Sequence, residues 1–260
     1  MKKILVGVLL GVIIVLGAPS YQTSAIAQEK KPQKVGVVNY SLWADVLEKY
    51  VDRNGLVNYM QLQLNRLKLD KFVEQVKEAD ISNLSAQEQK AFWINGYNAL
   101  TVTLILDNYP LKFGGIRTIN WGRPWDLPMR VAGRELTLGT IEHKILRPLG
   151  DPRVHFALNC ASIGCPKLPQ TPFYPENLDE RLELEAKRFI NDPDKVYFDQ
   201  RKDILFYSDL LNWYEEDFLL VASSKLEYIM RYLDDDKKKL MNSNSLKLKK
   251  IKYDWALNKQ

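Results

Sequence analysis

Apolar residues recur along this chain with two spacings, helical and alternating, and the changes between them divide it into elements. Over 40–51, Leu42, Trp43, Val46, Leu47 and Tyr50 share one helical face, which predicts an amphipathic helix. Asp52-Arg53-Asn54-Gly55 is a turn signal, 56–59 opens the next element, and 62–76 is again patterned as an amphipathic helix. Ser85-Ala86-Gln87-Glu88 is a capping box, in which the serine and glutamate side chains satisfy each other's end of the first turn. The helix it starts, 86 to about 107, differs from its neighbours. Phe92, Trp93, Ile94, Tyr97, Leu100, Val102, Leu104 and Ile105 spread around its whole circumference, so it is expected to be buried on most sides. Asn95 and Asn98 share one face there, and amides in a core need hydrogen-bond partners. Either they tie the helix to neighbouring backbone, or they orient a catalytic group.

Asn108-Tyr109-Pro110 ends that helix, because a residue before proline is pushed out of helical geometry. The loop 113–125, rich in aromatics and glycine, carries Trp121 and Trp125, which either wall a ligand site or cap a core. Residues 129–131 and 135–137 alternate about Ala132-Gly133, a short hairpin. The segment 138–149 is predicted as a helix with Leu138, Ile141, Ile145, Leu146 and Leu149 in one stripe. Glu142 falls inside that stripe, where a carboxylate needs a partner, and His143 lies at its edge. The run 154–158, apolar except for His155, predicts a buried strand. There follow a charged amphipathic helix over 178–190, a hairpin of 196–198 with 204–207, and helices over 209–218 and 226–233. Leu246, Leu248, Ile251, Tyr253 and Trp255 suggest a last strand, and the lysines of 237–239 and 247–252 a solvated surface. The expected fold is therefore α+β. It is a mostly helical single domain around a buried central helix, with a small antiparallel sheet from the hairpins, strand 154–159 and the C-terminal strand.

The N-terminus changes the picture. Lys2 and Lys3 precede an apolar run from Ile4 to Ala18 and a polar segment ending Ala25-Ile26-Ala27, which predicts a signal peptide over 1–27 removed before Gln28. The run is short for a bilayer span, so a periplasmic or secreted protein with no stable membrane span is expected. A linker, 28–40, leads to a single domain over 41–260. Loss of Lys2 and Lys3 lowers the net charge from +5 to +3; with no segregated basic face, there is no case for nucleic acid.

The chain has two histidines and two cysteines, and all four lie in the stretch from His143 to Cys165. Around them, several runs resemble one family: the turn 54–59, AFWINGYNAL at 91–100, Ile141-Glu142-His143, DPRVHFALNCASIGCP at 151–166, Trp213-Tyr214 with Asp217-Phe218, and YDWALN at 253–258. Together they resemble the domain-of-unknown-function family numbered 547, in an exported, bacterial-type form, over nearly the whole mature chain. The resemblance places Glu142, His143, His155, Cys160 and Cys165 in the family's own motifs and implies no activity; related eukaryotic proteins join the domain to glutaredoxin-like or DEP modules.

Four accounts of these residues remain open. Cys160 is a nucleophile where the turn 161–164 exposes its sulfur and offers backbone N–H groups, with a histidine as base. Alternatively Cys160 and Cys165 form a disulfide, structural or redox-active, five residues with a glycine being enough to bring them together. A metal site is the third account, although the spacing matches no common zinc signature, and a quiet core is the fourth. On a strand, His155 and Cys160 point to opposite faces, which favours His143 as the partner. A papain- or transglutaminase-like plan also sets a buried helix against a sheet carrying histidine, but there the cysteine opens the central helix. The leading reading is an exported thiol-dependent hydrolase or acyl transferase acting on a small molecule or peptide. In it Cys160 attacks, His143 moves the proton, Glu142 or Asn95 orients the imidazole and His155 supports it; no cofactor and no metal is expected. The alternatives are a binding domain stapled by the disulfide, with Trp121 and Trp125 as its contact surface, and a thiol redox protein.

Overall fold

The computed structural model describes residues 38–111, 115–241 and 246–260; the expected signal peptide, and the linker as far as residue 37, lie outside the described residues. Four helices come first: α1 (Tyr40–Tyr50), α2 (Tyr59–Leu64), α3 (Leu67–Glu78) and α4 (Ala86–Asp107). The capping box at the head of α4 is formed in both directions, Glu88 N–H to Ser85 Oγ and Ser85 N–H to a Glu88 carboxylate oxygen. From Ala91 to Val102 every residue of α4 is buried, as its all-round apolar pattern requires.

The two asparagines make that burial possible. Asn95 Nδ2 donates to Phe173 O at 2.7 Å while its Oδ1 accepts the Phe173 N–H at 3.0 Å. Asn98 Nδ2 donates to Ala157 O at 2.9 Å while its Oδ1 accepts the Asn159 N–H at 2.8 Å. Each amide thus acts as a piece of β-ladder, giving a passing chain the hydrogen bonds that no strand supplies.

The hairpin pairs β1 (Met129–Val131) with β2 (Arg134–Leu136), and Ala132 and Gly133 both take positive φ, 49° and 71°. That is the twist a two-residue hairpin turn needs. The same two residues donate their N–H groups to Val76 O and Lys77 O, which caps the carboxyl end of α3.

Two expectations are corrected here. The predicted helix 138–149 is a short turn, α5 (Leu138–Thr140), followed by a π turn over Ile141–Leu146 and a 3-10 turn over Arg147–Leu149. Arg147 N–H reaches back to Glu142 O, and Pro148, with no N–H, cannot restore the α ladder. The predicted strand 154–159 is a 3-10 turn over Pro152–Phe156, started by Asp151 capping the Arg153 N–H and by proline at its first position. A strand would aim 154, 156 and 158 at one face; instead Val154 and Leu158 join one core and Phe156 the other.

The second half contains α6 (Leu178–Asn191), β3 (Val196–Asp199), β4 (Ile204–Ser208), α7 (Leu210–Trp213), α8 (Glu215–Phe218), α9 (Lys225–Tyr232), α10 (Asp235–Lys239) and β5 (Lys247–Ile251). β3 and β4 are antiparallel, while β5 lies parallel to β4, so the second sheet is mixed. The last strand ends at Ile251, leaving Tyr253 and Trp255 for another purpose. The lysines of β5 sit on the outer edge of the sheet, where charge discourages pairing with another chain. The first core gathers α1 to α4 and the hairpin; the second gathers α6, β4 and the short helices after it, around Phe156, Phe218 and Tyr228. The fold is α+β and mostly helical around α4. Among the described residues no helix is long and apolar enough to cross a membrane.

Replacing Asn98 with Ala leaves the Ala157 carbonyl and the Asn159 N–H buried without that partner. The expected loss is about 2–4 kcal/mol, from two unsatisfied buried groups. Urea unfolding of the two proteins measures it as a lower midpoint at unchanged slope; a loss below about 1 kcal/mol would show that the loop holds itself.

Candidate functional site

The loop that follows Asn98's grip carries both cysteines. Cys160 and Cys165 are joined as a disulfide, and Asn159 ties the loop at its base. Asn159 Oδ1 accepts the Ala161 N–H at 2.9 Å and its Nδ2 donates to Pro166 O at 2.8 Å. Ala161 takes a positive φ of 59°, the sharp turn that brings the chain back to Cys165.

The C-terminal segment lies along this loop. Gly164 N–H donates to Asp254 O and Ile163 N–H to Ala256 O, both at 2.8 Å, and Asn258 N–H donates to Ala161 O. A side chain at Gly164 is excluded, because its Cβ would stand 2.7 Å from the Tyr253 ring. The ring therefore reaches the sulfurs, with its hydroxyl 3.1 Å from each and 3.0 Å from Ser162 Oγ. On the inner sulfur, Cys165 Sγ, three donors converge: Cys160 N–H at 2.9 Å, Tyr253 Oη at 3.1 Å and Ser162 Oγ at 3.4 Å. Cys165 is buried, while Cys160 is partly exposed.

The disulfide forms part of the wall of a cavity of about 380 Å³, which both histidines and Glu142 also line. Glu142 comes from the π turn and is 7% exposed. Its carboxylate accepts from Tyr97 Oη of α4 at 3.3 Å and from the Tyr214 hydroxyl between α7 and α8. These are the partners that a carboxylate in an apolar stripe requires. Burial pushes the Tyr97, Tyr214 and Tyr253 phenols above the ordinary tyrosine range, so all three stay protonated.

Tyr214 stacks on the His155 ring, centroids 3.8 Å apart. His155 is buried, and its Nε2 lies 2.6 Å from Asp217 Oδ2. A carboxylate only accepts, so Nε2 carries the proton and Nδ1 is the ring's other nitrogen. Arg147 clasps the same carboxylate with Nε at 2.6 Å and Nη2 at 3.0 Å. Burial alone raises Asp217's pKa, but hydrogen bonds from His155 and Arg147 outweigh it and hold the carboxyl well below the usual range. His143 stands exposed at the rim, its Nδ1 3.3 Å from Arg147 Nη1. Since a guanidinium only donates, that nitrogen is the acceptor and cannot take a proton from elsewhere in this arrangement.

Four of the five residues singled out from the sequence, Glu142, His143, His155 and Cys160, are thus brought together. Asn95 is not: both ends of its amide are spent on Phe173. His155 and Cys160 line one cavity because the segment between them is no strand, which removes the objection based on alternation. Both sulfurs are spent on each other, and among the described residues no three of His, Cys, Asp and Glu are grouped to hold a metal. Cys160 has no thiol in this form, so its reading as a nucleophile requires the bond to be opened first. The sequence reading gave no role to Asp217, Arg147, Tyr97, Tyr214 or Tyr253. Glu142's need for donors was one signal, which said nothing of which donors; the other was that all of these but Arg147 fall in the runs that resemble the family. Trp125 lines the cavity, whereas Trp121 is 98% exposed. A second cavity, about 660 Å³, holds neither histidine nor cysteine and is lined by charges largely paired among themselves, such as Glu185 with Arg181 and Arg188.

A family model described as "Protein of unknown function, DUF547" matches residues 81–190. That stretch takes in α4, the π turn and the disulfide loop, but not Tyr214, Asp217 or Tyr253. No curated protein and no solved structure matches the chain.

Asp217's lowered pKa stabilises the fold at neutral pH, where the carboxylate is ionised in both folded and unfolded chains. As pH falls through the ordinary Asp range toward the folded value, the unfolded chain binds the proton first and this stabilisation is lost. Urea melts between pH 7 and pH 3 should therefore show a shallower acid decline for Asp217→Asn than for wild type; parallel declines would remove Asp217 from the acid limb.

Proposed function

From the site alone we propose that this protein, whose residues 81–190 match the model of a protein family of unknown function, is a thiol–disulfide exchange protein working outside the cytoplasm. Its Cys160–Cys165 bond reacts with a small thiol or cysteine-bearing peptide held in the aromatic cavity. The observation that carries the reading is the position of the disulfide in the cavity wall with three donors converging on its inner sulfur. Donors of this kind do little for a disulfide sulfur and much for a thiolate, so they favour Cys165 as the leaving group. The signal-like N-terminus agrees with an oxidising compartment, where such a bond persists.

The steps follow from exposure. A substrate thiolate attacks the partly exposed Cys160 Sγ; a new S–S bond forms there, the Cys160–Cys165 bond breaks, and its electron pair passes to Cys165 Sγ. A second substrate thiolate then attacks the substrate sulfur of this mixed disulfide and releases Cys160 as a thiolate. Two thiols are oxidised to one disulfide, and the protein's disulfide is reduced to two thiols. The same exchange run backward against a small disulfide compound restores the starting form. In this reading the incoming thiol's proton passes to Nδ1 of His155, whose Nε2–H is committed to Asp217.

The His155–Asp217 contact at 2.6 Å also supports a second reading, in which the reduced protein is a thiol-dependent hydrolase or acyl transferase. Cys160 is then the nucleophile and His155, oriented by Asp217, the base; His143 is the weaker choice because Arg147 occupies its Nδ1.

Intact mass before and after thiol alkylation, on never-reduced protein, is the test. Exchange predicts no label at first, opening of the native bond by millimolar thiol, and a Cys165→Ser variant whose free Cys160 attacks a small disulfide compound, keeps one of its sulfurs as a mixed disulfide and releases the other as a thiol. Tyr253→Phe should slow opening by about tenfold, the loss of one hydrogen bond to a charged sulfur. A native bond that opens only on unfolding would reduce the disulfide to a staple. Ester turnover by the reduced protein, abolished by Cys160→Ala, would select the second reading.

A further inference from the structure

The chain carries a net charge of +5, yet among the described residues no lysine or arginine lines the disulfide cavity. Its formally charged carboxylates are Glu142 and Asp126. Asp126 is exposed and has Arg123 4.0 Å away. Glu142 is more than nine-tenths buried, accepts only from two neutral phenols, and among the described residues has no cation within ion-pair distance. The nearby cations are committed elsewhere, Arg147 to Asp217 and Arg117 over the Trp255 ring. A buried carboxylate without a counter-charge is costly, and two phenols leave part of its acceptor capacity unused. Trp125, Trp213 and Tyr253 line the same cavity, and aromatic rings attract an organic cation through their faces.

We infer that the cavity selects thiols carrying an organic ammonium group, whose charge Glu142 receives among the aromatic rings while the thiol meets Cys160. This deepens the exchange reading and rests on it for the thiol, though not for the ammonium. An anionic thiol is disfavoured by the same carboxylate.

Rates of opening the native disulfide by 2-aminoethanethiol, 2-hydroxyethanethiol and 3-mercaptopropanoate test it, compared per thiolate and divided by the same rates on a small linear disulfide. The expected order is cationic, neutral, anionic, with about tenfold between the first two at low salt. Glu142→Gln, which keeps an acceptor for the phenols, should bring the cationic-to-neutral ratio close to one. Choline, which has no thiol, should quench tryptophan fluorescence of the wild-type protein and slow its reaction with 2-aminoethanethiol. If the neutral thiol reacts and the ratio is one or inverted, ammonium selection is overturned and exchange stands. If no thiol opens the native bond, exchange falls, and choline quenching alone decides the ammonium site: saturable quenching supports it, and none overturns it.

Discussion

The complete burial of α4 sets the terms for the rest of the molecule. A helix without a polar face has to be surrounded, and this chain surrounds it partly with regular helices and partly with segments that are not regular secondary structure. Such segments bring unpaired backbone groups into the core, and Asn95 and Asn98 satisfy them with side-chain amides. The segment held by Asn98 leads straight into the disulfide loop. The segment that carries the sulfurs is therefore anchored by two hydrogen bonds made in the centre of the fold.

A second set of constraints acts on the same loop from outside. The C-terminal segment pairs with 161–164, and the bare Cα of Gly164 lets Tyr253 approach until its hydroxyl touches both sulfurs. On the far side of the cavity the π turn presents Glu142 inward, and the break between α7 and α8 delivers Tyr214 to it. Three departures from regular structure thus each aim one polar group at the cavity. Regular helices or strands through these positions would have kept their own ladders and pointed those groups elsewhere.

The charge arrangement separates two kinds of carboxylate. Asp217 is clasped by Arg147 and His155 and is held ionised. Among the described residues, Glu142 has only phenols as donors and no lysine or arginine lines the cavity. The first serves to fix His155 against Tyr214; the second leaves a negative site among aromatic rings.

By itself the sequence determined the elements whose signals are local. Ser85 and Glu88 announced the start of α4, its all-round apolar pattern announced its burial, and Ala132-Gly133 announced the hairpin, because each depends on residues within a few positions of one another. It also concentrated its histidines and cysteines in one stretch, and Glu142's place in an apolar stripe already demanded a partner. Only the tertiary structure decided what these residues face. The run 154–158 carries the same apolar pattern whether it is a strand or a 3-10 turn, and the choice went to the form that feeds Phe156 to one core and Val154 to the other. Asp217 and Tyr253 reach the site across sequence separations of 62 and 88, from His155 and Cys165 respectively. No periodicity connects residues so far apart; only the packing of two cores around one loop brings them within hydrogen-bond reach.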